Sequence, residues 1–263
     1  MFLEKILDKK KKSLERAEKM VPLEKLKDKL DSIPSPRDFK GFLERSRGRA
    51  IIAEIKRSSP SKGVLSREKD PVKRAVNYEK SGATALSVLT EEDYFSGSLE
   101  DLSRVKEGVE IPVLRKDFII SEYQVYESRT SGADAFLLIA SLLSGRELGW
   151  LLKTARRLSL APLVEVHDRQ DLEKALEWGA EIIGINNRDL KNFETSLEVT
   201  LELSPGIPSN LLVVSESGIK DYRDIEILRE AGVDAFLIGE ALMTHPFPGE
   251  KIKELMGGCC GKG

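Results

Sequence analysis

The chain has 263 residues, 33% of them charged, and a formal net charge of −2. That is enough for one large α/β domain with a full core, and the charge balance gives no global basic field to attract nucleic acid. No stretch approaches the roughly 18 to 20 apolar residues of a membrane span. Met1-Phe2-Leu3-Glu4-Lys5 lacks a signal-peptide apolar core, so a cytoplasmic protein is expected.

Residues 1–48 read as an amphipathic helical extension. Phe2, Leu3, Ile6 and Leu7, then Leu23, Leu26 and Leu30, have helical spacing. Ser35-Pro36 is expected to open a further helix through Phe39, Phe42 and Leu43. The apolar stripe predicts packing on the domain that follows, and the Lys9–Lys12 run reads as a solvated face.

The next run, Ala50-Ile51-Ile52-Ala53, reads as a buried strand that continues into Glu54-Ile55-Lys56. Glu54 and Lys56 are two apart, so on a strand they share a face. Burying a carboxylate with an ammonium is costly unless they pair or do chemistry. The loop after them, Arg57-Ser58-Ser59-Pro60-Ser61-Lys62-Gly63, is polar and rich in donors.

From there the chain repeats itself. Ser81-Gly82-Ala83-Thr84-Ala85-Leu86 resembles Ser131-Gly132-Ala133-Asp134-Ala135-Phe136, Trp178-Gly179-Ala180-Glu181-Ile182-Ile183 and Ala231-Gly232-Val233-Asp234-Ala235-Phe236, at steps of 50, 47 and 53 residues. Each copy reads as a helix end, a Gly C-cap, a turn and a buried strand. Further apolar runs fall between the copies, at Ile111–Leu114, Ala161–Val166 and Leu211–Val214, which makes eight in all. Continuous apolar runs suit parallel strands buried on both faces. Helix starts separate them: Asp70-Pro71, then Ser121 with Gln124, Ser144 with Glu147 and Thr195 with Glu198 at capping-box spacing, and weaker pairs at Ser98/Asp101 and Asp168/Asp171.

Strand and helix alternate eight times, which predicts an α/β fold: a closed (β/α)8 TIM barrel over residues 49–256, with the N-terminal helical extension before it and a flexible tail at 257–263. A doubly wound open sheet is the alternative, lowered because no G-x-G-x-x-G follows the first strand. The two cysteines, Cys259 and Cys260, are adjacent in the tail and fit neither a bridge nor a zinc pattern. His167 reads as a turn or cap residue, His245 as part of a surface turn, and Trp150 and Trp178 as packing residues in helices. The abundance of Lys, Glu and Arg beside five Asn and two Gln resembles thermophile proteins.

In such barrels the active site lies at the C-terminal strand ends. Polar residues gather there: Glu54 and Lys56, Lys116 in Leu114-Arg115-Lys116-Asp117-Phe118, Glu165 in Leu163-Val164-Glu165-Val166-His167, Asn186, and Glu216 in Val214-Ser215-Glu216. Glu165 sits between Val164 and Val166 and so faces opposite to both; Lys116 and Glu216 occupy similar places. Three carboxylates and two ammoniums in one cavity perturb each other's proton affinities and suit multi-step acid–base catalysis. Ser217-Gly218 and Gly239-Glu240 follow the seventh and eighth strands, where backbone N–H groups commonly hold a phosphate, and Arg188 and Ser59 add side-chain donors.

The motif Ile51-Ile52-Ala53-Glu54-Ile55-Lys56-Arg57-Ser58-Ser59-Pro60-Ser61-Lys62-Gly63 resembles the signature of the indole-3-glycerol phosphate synthases of tryptophan biosynthesis. Leu114–Phe118, Leu163–His167, Gly184–Leu190 and Ser215–Ile219 match that family's other motifs in order, over nearly the whole chain. The resemblance implies a decarboxylating lyase acting on 1-(2-carboxyphenylamino)-1-deoxyribulose 5-phosphate, with no metal and no organic cofactor. It implies Lys116 as the acid that polarises the ketone, Glu165 in proton transfer, and Lys56, oriented by Glu54, at the departing hydroxyl or the substrate carboxylate. Asn186 and Glu216 would orient hydroxyls or the amine. Ser59, Arg188, Ser217, Gly218, Gly239 and Glu240 would surround the phosphate, and Phe118 and Pro60 would line the aromatic pocket. The expected partner is a small phosphorylated substrate, with no nucleic acid, no membrane and a monomeric state. Rival readings are another phosphate-sugar barrel, such as phosphoribosylanthranilate isomerase or the tryptophan synthase α subunit, and a non-catalytic phosphate-binding barrel. The isomerases use an early-strand Cys, and this chain has none before Cys259.

Overall fold

A computed structural model describes residues 2–59, 63–64, 70–189 and 193–258. Eight parallel strands, each paired with its neighbour in chain order, form a closed barrel. They are β1 (Ala50–Ile55), β2 (Ala85–Leu89), β3 (Val113–Lys116), β4 (Ala135–Ile139), β5 (Ala161–Val166), β6 (Ile182–Asn186), β7 (Leu212–Glu216) and β8 (Ala235–Ile238). The last closes on the first, with Ala50 opposite Ala235 and Ala53 opposite Ile238. All eight apolar runs are strands of this one sheet, and the open-sheet alternative falls.

Helices α1 (Phe2–Met20), α2 (Leu23–Asp28) and α3 (Phe39–Arg45) precede the barrel. Then α4 (Pro71–Lys80), α5 (Leu99–Gly108), α6 (Glu122–Thr130), α7 (Gly145–Arg157), α8 (Arg169–Glu177), α9 (Glu198–Leu203) and α10 (Tyr222–Glu230) link successive strands. After β8 come α11 (Glu240–Met243) and α12 (Pro248–Leu255).

Each strand divides its side chains between two cores. Ile52, Leu114, Leu137, Leu163, Ile182, Val214 and Leu237 fill the barrel interior. Their neighbours Ile51, Val113, Phe136, Val164, Ile183, Val213 and Phe236 pack outward against the helices. With both faces covered, the strands carry almost no polar residue until their C-terminal ends.

The repeated turns have a second task beyond capping. In three of the four copies the fourth residue accepts from an N–H at the start of a neighbouring strand, a donor that needs a partner once buried. Asp134 Oδ2 accepts from Val113 N at 2.8 Å, Asp234 Oδ2 from Val213 N at 2.9 Å, and Thr84 Oγ1 from Ile51 N at 3.3 Å. Helix α3 plugs the same end of the barrel: Phe39 and Leu43 join the interior cluster and are essentially fully buried.

The extension reaches the opposite end as well. Leu26 of α2 packs with Tyr123 and Tyr126 of α6, and Tyr123 Oη donates to the carbonyls of Ala17 and Val21 at 3.2 and 3.0 Å. The Lys9–Lys12 run is not simply solvated. Lys10 Nζ lies 2.5 Å from Asp117 Oδ1 and is largely buried, while Lys9 approaches Asp93 at 3.6 Å and stands over the Tyr94 ring.

Most expected caps form. Asp70 accepts from Val72 N, Ser98 from Asp101 N and Asp168 from Asp171 N, and Ser144 with Glu147 makes a full capping box. Four readings are corrected. Ser35-Pro36 stays extended and α3 starts instead at Asp38, whose carboxylate accepts from Gly41 N at 2.9 Å. Thr195 bridges Arg188, and Ser196 Oγ takes the Glu198 N–H. Ser121 does cap α6, through Tyr123 N, but Gln124 turns back to Ile120 N and the Phe118 carbonyl rather than to its cap. Trp150 is half exposed beneath Arg157 rather than packed inside, whereas Trp178 caps α8 and lies flat on Gly145 and Gly149. Cys259 and Cys260 lie outside the described residues.

Candidate active site

A cavity of about 520 Å³ opens at the C-terminal strand ends. Interior parity determines its floor. Glu54 follows Ile52 at the next inward position of β1, Lys116 follows Leu114 on β3, Glu165 follows Leu163 on β5, Asn186 follows Gly184 on β6 and Glu216 follows Val214 on β7. Each is the last inward residue of its strand, so five polar side chains converge where the apolar interior ends.

Lys116 is the hub. Its Nζ stands 3.2 Å from Glu165 Oε2 and makes a closer contact with Glu216 Oε2. Lys56 Nζ pairs with Glu54 Oε1 at 2.9 Å. Two glycines make room for the carboxylates: a Cβ on Gly184 would meet Glu216 Oε1 at 2.3 Å, and one on Gly239 would meet Glu54 Oε1 at 2.4 Å. Any side chain at either position would displace the acid beside it.

Burial and pairing set the proton affinities. Burial alone would lower Lys116, but Glu216, Glu165 and Glu54 outweigh it and hold the ammonium well above the usual lysine range. Burial would raise Glu165 and Glu54; instead Lys116, with His167 and a hydrogen bond from Asn186, holds Glu165 low, and Lys56 with Lys116 holds Glu54 low. Glu216 goes the other way. Burial and the charge of Glu165 push it up to about 7 against the pull of Lys116, and its Oε1 has no hydrogen-bond partner. One lysine thus serves two acids, and one of the two pays for the crowding.

The far end of the cavity is built from backbone. Ser217, a non-glycine residue, is held at φ 67°, a strained conformation that needs support from its surroundings. Asn187 supplies it: buried in the wall, its amide donates to the Glu216 and Ser217 carbonyls at 3.0 Å and to Ser215 Oγ at 2.9 Å. Gly218, Gly239 and Glu240 line the same end, with Arg188 Nη2 3.4 Å from Glu240 Oε2.

Twelve of the fourteen expected site residues line this one cavity: Glu54, Lys56, Lys116, Phe118, Glu165, Asn186, Arg188, Glu216, Ser217, Gly218, Gly239 and Glu240. Pro60 lies outside the described residues, and of Ser59 only the backbone is described, in a short antiparallel pair with Gly63. Sequence reasoning missed other contributors. Ile6 of α1 and Phe95 of the loop after β2 line the apolar side. Glu91 folds that loop, accepting from Asp93, Tyr94 and Phe95 N–H groups. Asp117, next to Lys116, is locked by Lys10, Thr90 and Arg115, and Phe118 N donates to it at 2.8 Å. His167 stands in the turn before α8, as expected, and its ring lies 3.3 Å from Glu165 Oε1.

Among the described residues, no group of three or more His, Cys, Asp or Glu side chains is arranged to hold a metal ion. No helix among them is long and apolar enough to cross a membrane.

Comparison with known proteins agrees with the site. Residues 3–255 match the family model for indole-3-glycerol phosphate synthase. A protein of that name from Alkaliphilus metalliredigens is 45% identical over 260 residues, covering 99% of this chain and 100% of its own. Another from Acetivibrio thermocellus is 48% identical, covering 97% and 98%. Among solved structures, a 3-hexulose-6-phosphate synthase superposes with a TM-score of 0.64 at 14% identity over 79% of this chain and 98% of its own. A thiamine phosphate pyrophosphorylase from Pyrococcus furiosus does so at 0.60 and 17%, over 81% and 96%. At such low identity these two speak for the barrel alone. The family match over almost every residue, joined to the cavity's charged floor, decides the matter: the chain belongs to the indole-3-glycerol phosphate synthase family.

Proposed function

We propose that this cavity closes the indole ring of 1-(2-carboxyphenylamino)-1-deoxyribulose 5-phosphate, with the following division of labour. The phosphate sits at the end lined by Ser217, Gly218, Gly239, Glu240 and Arg188, largely on backbone N–H groups, with Ser59 added from the loop after β1. The aromatic ring lies against Phe118 and Pro60. The C2′ ketone oxygen faces Lys116, which donates a proton as the ring carbon bearing the carboxylate attacks. Carbon dioxide leaves, its bonding electrons restoring the aromatic ring, and Glu165 transfers a proton during the condensation or the dehydration. Lys56, oriented by Glu54, protonates the departing hydroxyl or holds the substrate carboxylate. Asn186 and Glu216 orient hydroxyls or the amine.

The observation that carries this reading is Lys116 suspended between Glu165 and Glu216 at the cavity floor. An ammonium held above its usual range is charged throughout the neutral region and sets a fixed positive charge where the alkoxide develops. The substrate brings a carboxylate and a phosphate, so a pocket with a neutral Glu216 receives it more readily than one with three ionised acids.

The fluorescence of the indole product, followed with and without chelator, tests the reaction. Turnover unaffected by chelator is expected; binding without turnover would move the chain to a non-catalytic reading. Lys116→Ala lowers kcat by on the order of 10² or more, the range of acid–base groups; near-normal turnover would remove Lys116 from the acid role. We further propose a cytoplasmic monomer that binds no nucleic acid and tolerates high temperature, the last supported by the Lys- and Glu-rich composition. Size-exclusion chromatography and a thermal melt check the oligomeric state and the heat tolerance.

A further inference from the structure

His167 leaves β5 one residue after Val166, at the point where α8 begins. Asp168 caps that helix through Asp171 N, and the tight turn folds the imidazole back over the strand end. Both ring nitrogens are shielded from solvent. Nε2 stands 3.3 Å from Glu165 Oε1 and Nδ1 3.8 Å from Asp171 Oδ2, neither aligned as a hydrogen bond. The ring therefore lies between two carboxylates, one in the site and one on α8.

The groups around it come from four elements. Glu165 of β5, Asp171 of α8 and Glu216 of β7 face the ring with negative charge. Lys174 of α8 stands 3.6 Å from Asp171 Oδ1 and Lys116 of β3 stands 3.2 Å from Glu165 Oε2, each on the far side of a carboxylate. Glu165 thus has Lys116 beside Oε2 and the His167 ring beside Oε1, an arrangement that favours its ionised form when the ring is charged.

We propose that His167 is a positioning residue for the reaction: as an imidazolium it bridges Glu165 and Asp171, holding Glu165 deprotonated and facing Lys116. The role rests on the reading of Glu165 as the group that moves a proton. Burial disfavours the charged ring, but Asp171 and Glu165 outweigh it and raise His167 above the ordinary histidine range, in agreement with the geometry.

The test measures the coupling from both ends, because two interacting titrations must shift each other equally. The chain has two histidines, so proton–carbon NMR assigns His167 with one substitution at His245. Glu165→Gln is expected to lower the His167 pKa by about one unit, the effect of losing one nearby opposite charge. His167→Asn is expected to move the acid limb of the kcat profile up by a similar amount, with KM within about twofold. An unchanged His167 titration in Glu165→Gln overturns the proposal without touching the assigned reaction, since NMR needs no turnover. A shifted titration with an unmoved acid limb also overturns it, by showing that Glu165 does not titrate in the limiting step. Wild-type kcat in Glu165→Gln removes the role assigned to Glu165, whatever the coupling. Should His167→Asn fail to fold, the titrations in native protein and Glu165→Gln decide alone.

Discussion

Glu216 is the acid whose ionisation this site opposes most. It shares Lys116 with Glu165, lies within the field of Glu54, and presents one oxygen to a glycine rather than to a donor. The coupled pair should therefore show an apparent pKa of about 7. Infrared difference spectra between mildly acidic and mildly alkaline solution are expected to contain a protonated-carboxyl band that disappears with that midpoint and is missing in Glu216→Gln. The same variants rank the two acids. Glu165→Gln is expected to lower kcat at least as far as Glu216→Gln, because Glu165 is the one held as a carboxylate; the reverse order in steady-state kinetics would exchange their roles. Parity made these residues legible in the sequence: a charged residue at the inward position of an apolar strand has one place to go. His167 was not legible in the same way. Its orientation depends on how the α8 cap turns the chain, and a strand-end His reads equally well as a turn.

Elements meet at Asp117. Its carboxylate takes Lys10 from α1, Thr90 from the end of β2, Arg115 from β3 and the Phe118 N–H, so a helix of the extension, two strands and the aromatic wall share one buried charge. Burial would raise this acid, but Arg115 and Lys10 outweigh it and bring it down to about 2. A depressed carboxylate stabilises the fold above its unfolded pKa, near 4, and that contribution is lost as pH falls toward 2, where the native state must take up the proton. From the size of the depression, Asp117→Asn is expected to cost about 2 kcal/mol at neutral pH. Urea unfolding across pH should show the gap between the variant and the wild type closing between about pH 4 and pH 2. A gap that persists at the acid end would mean that packing, not charge, is what Asn disturbs. None of this junction was legible. The helices and strands could be read from periodicity and caps, but Lys10 and Asp117 are distant in sequence, and a run of lysines on a helix looks solvated until its partner is seen.

Across the whole molecule the two ends of the barrel do different work. At the end where chains enter the strands, interactions serve closure: Asp134, Asp234 and Thr84 satisfy strand N–H groups, and Phe39 and Leu43 of α3 plug the interior. At the other end, charge replaces apolar packing and the cavity opens. Stability and chemistry should therefore separate on substitution. Leu43 is fully buried in the interior cluster and far along the axis from Lys116. Leu43→Ala removes that packing and leaves a cavity, which costs about 2 to 5 kcal/mol. For a domain of this size the loss corresponds to a melting temperature roughly 5 to 15 °C lower. The folded fraction at 25 °C should keep kcat and KM within about twofold, because nothing that touches Lys116, Glu165 or the Ser217 turn has moved. A large fall in kcat with the melting temperature lowered as expected would show instead that the interior column transmits packing from the plug to the charged floor. The barrel would then be one coupled stack rather than a stable base beneath an independent site.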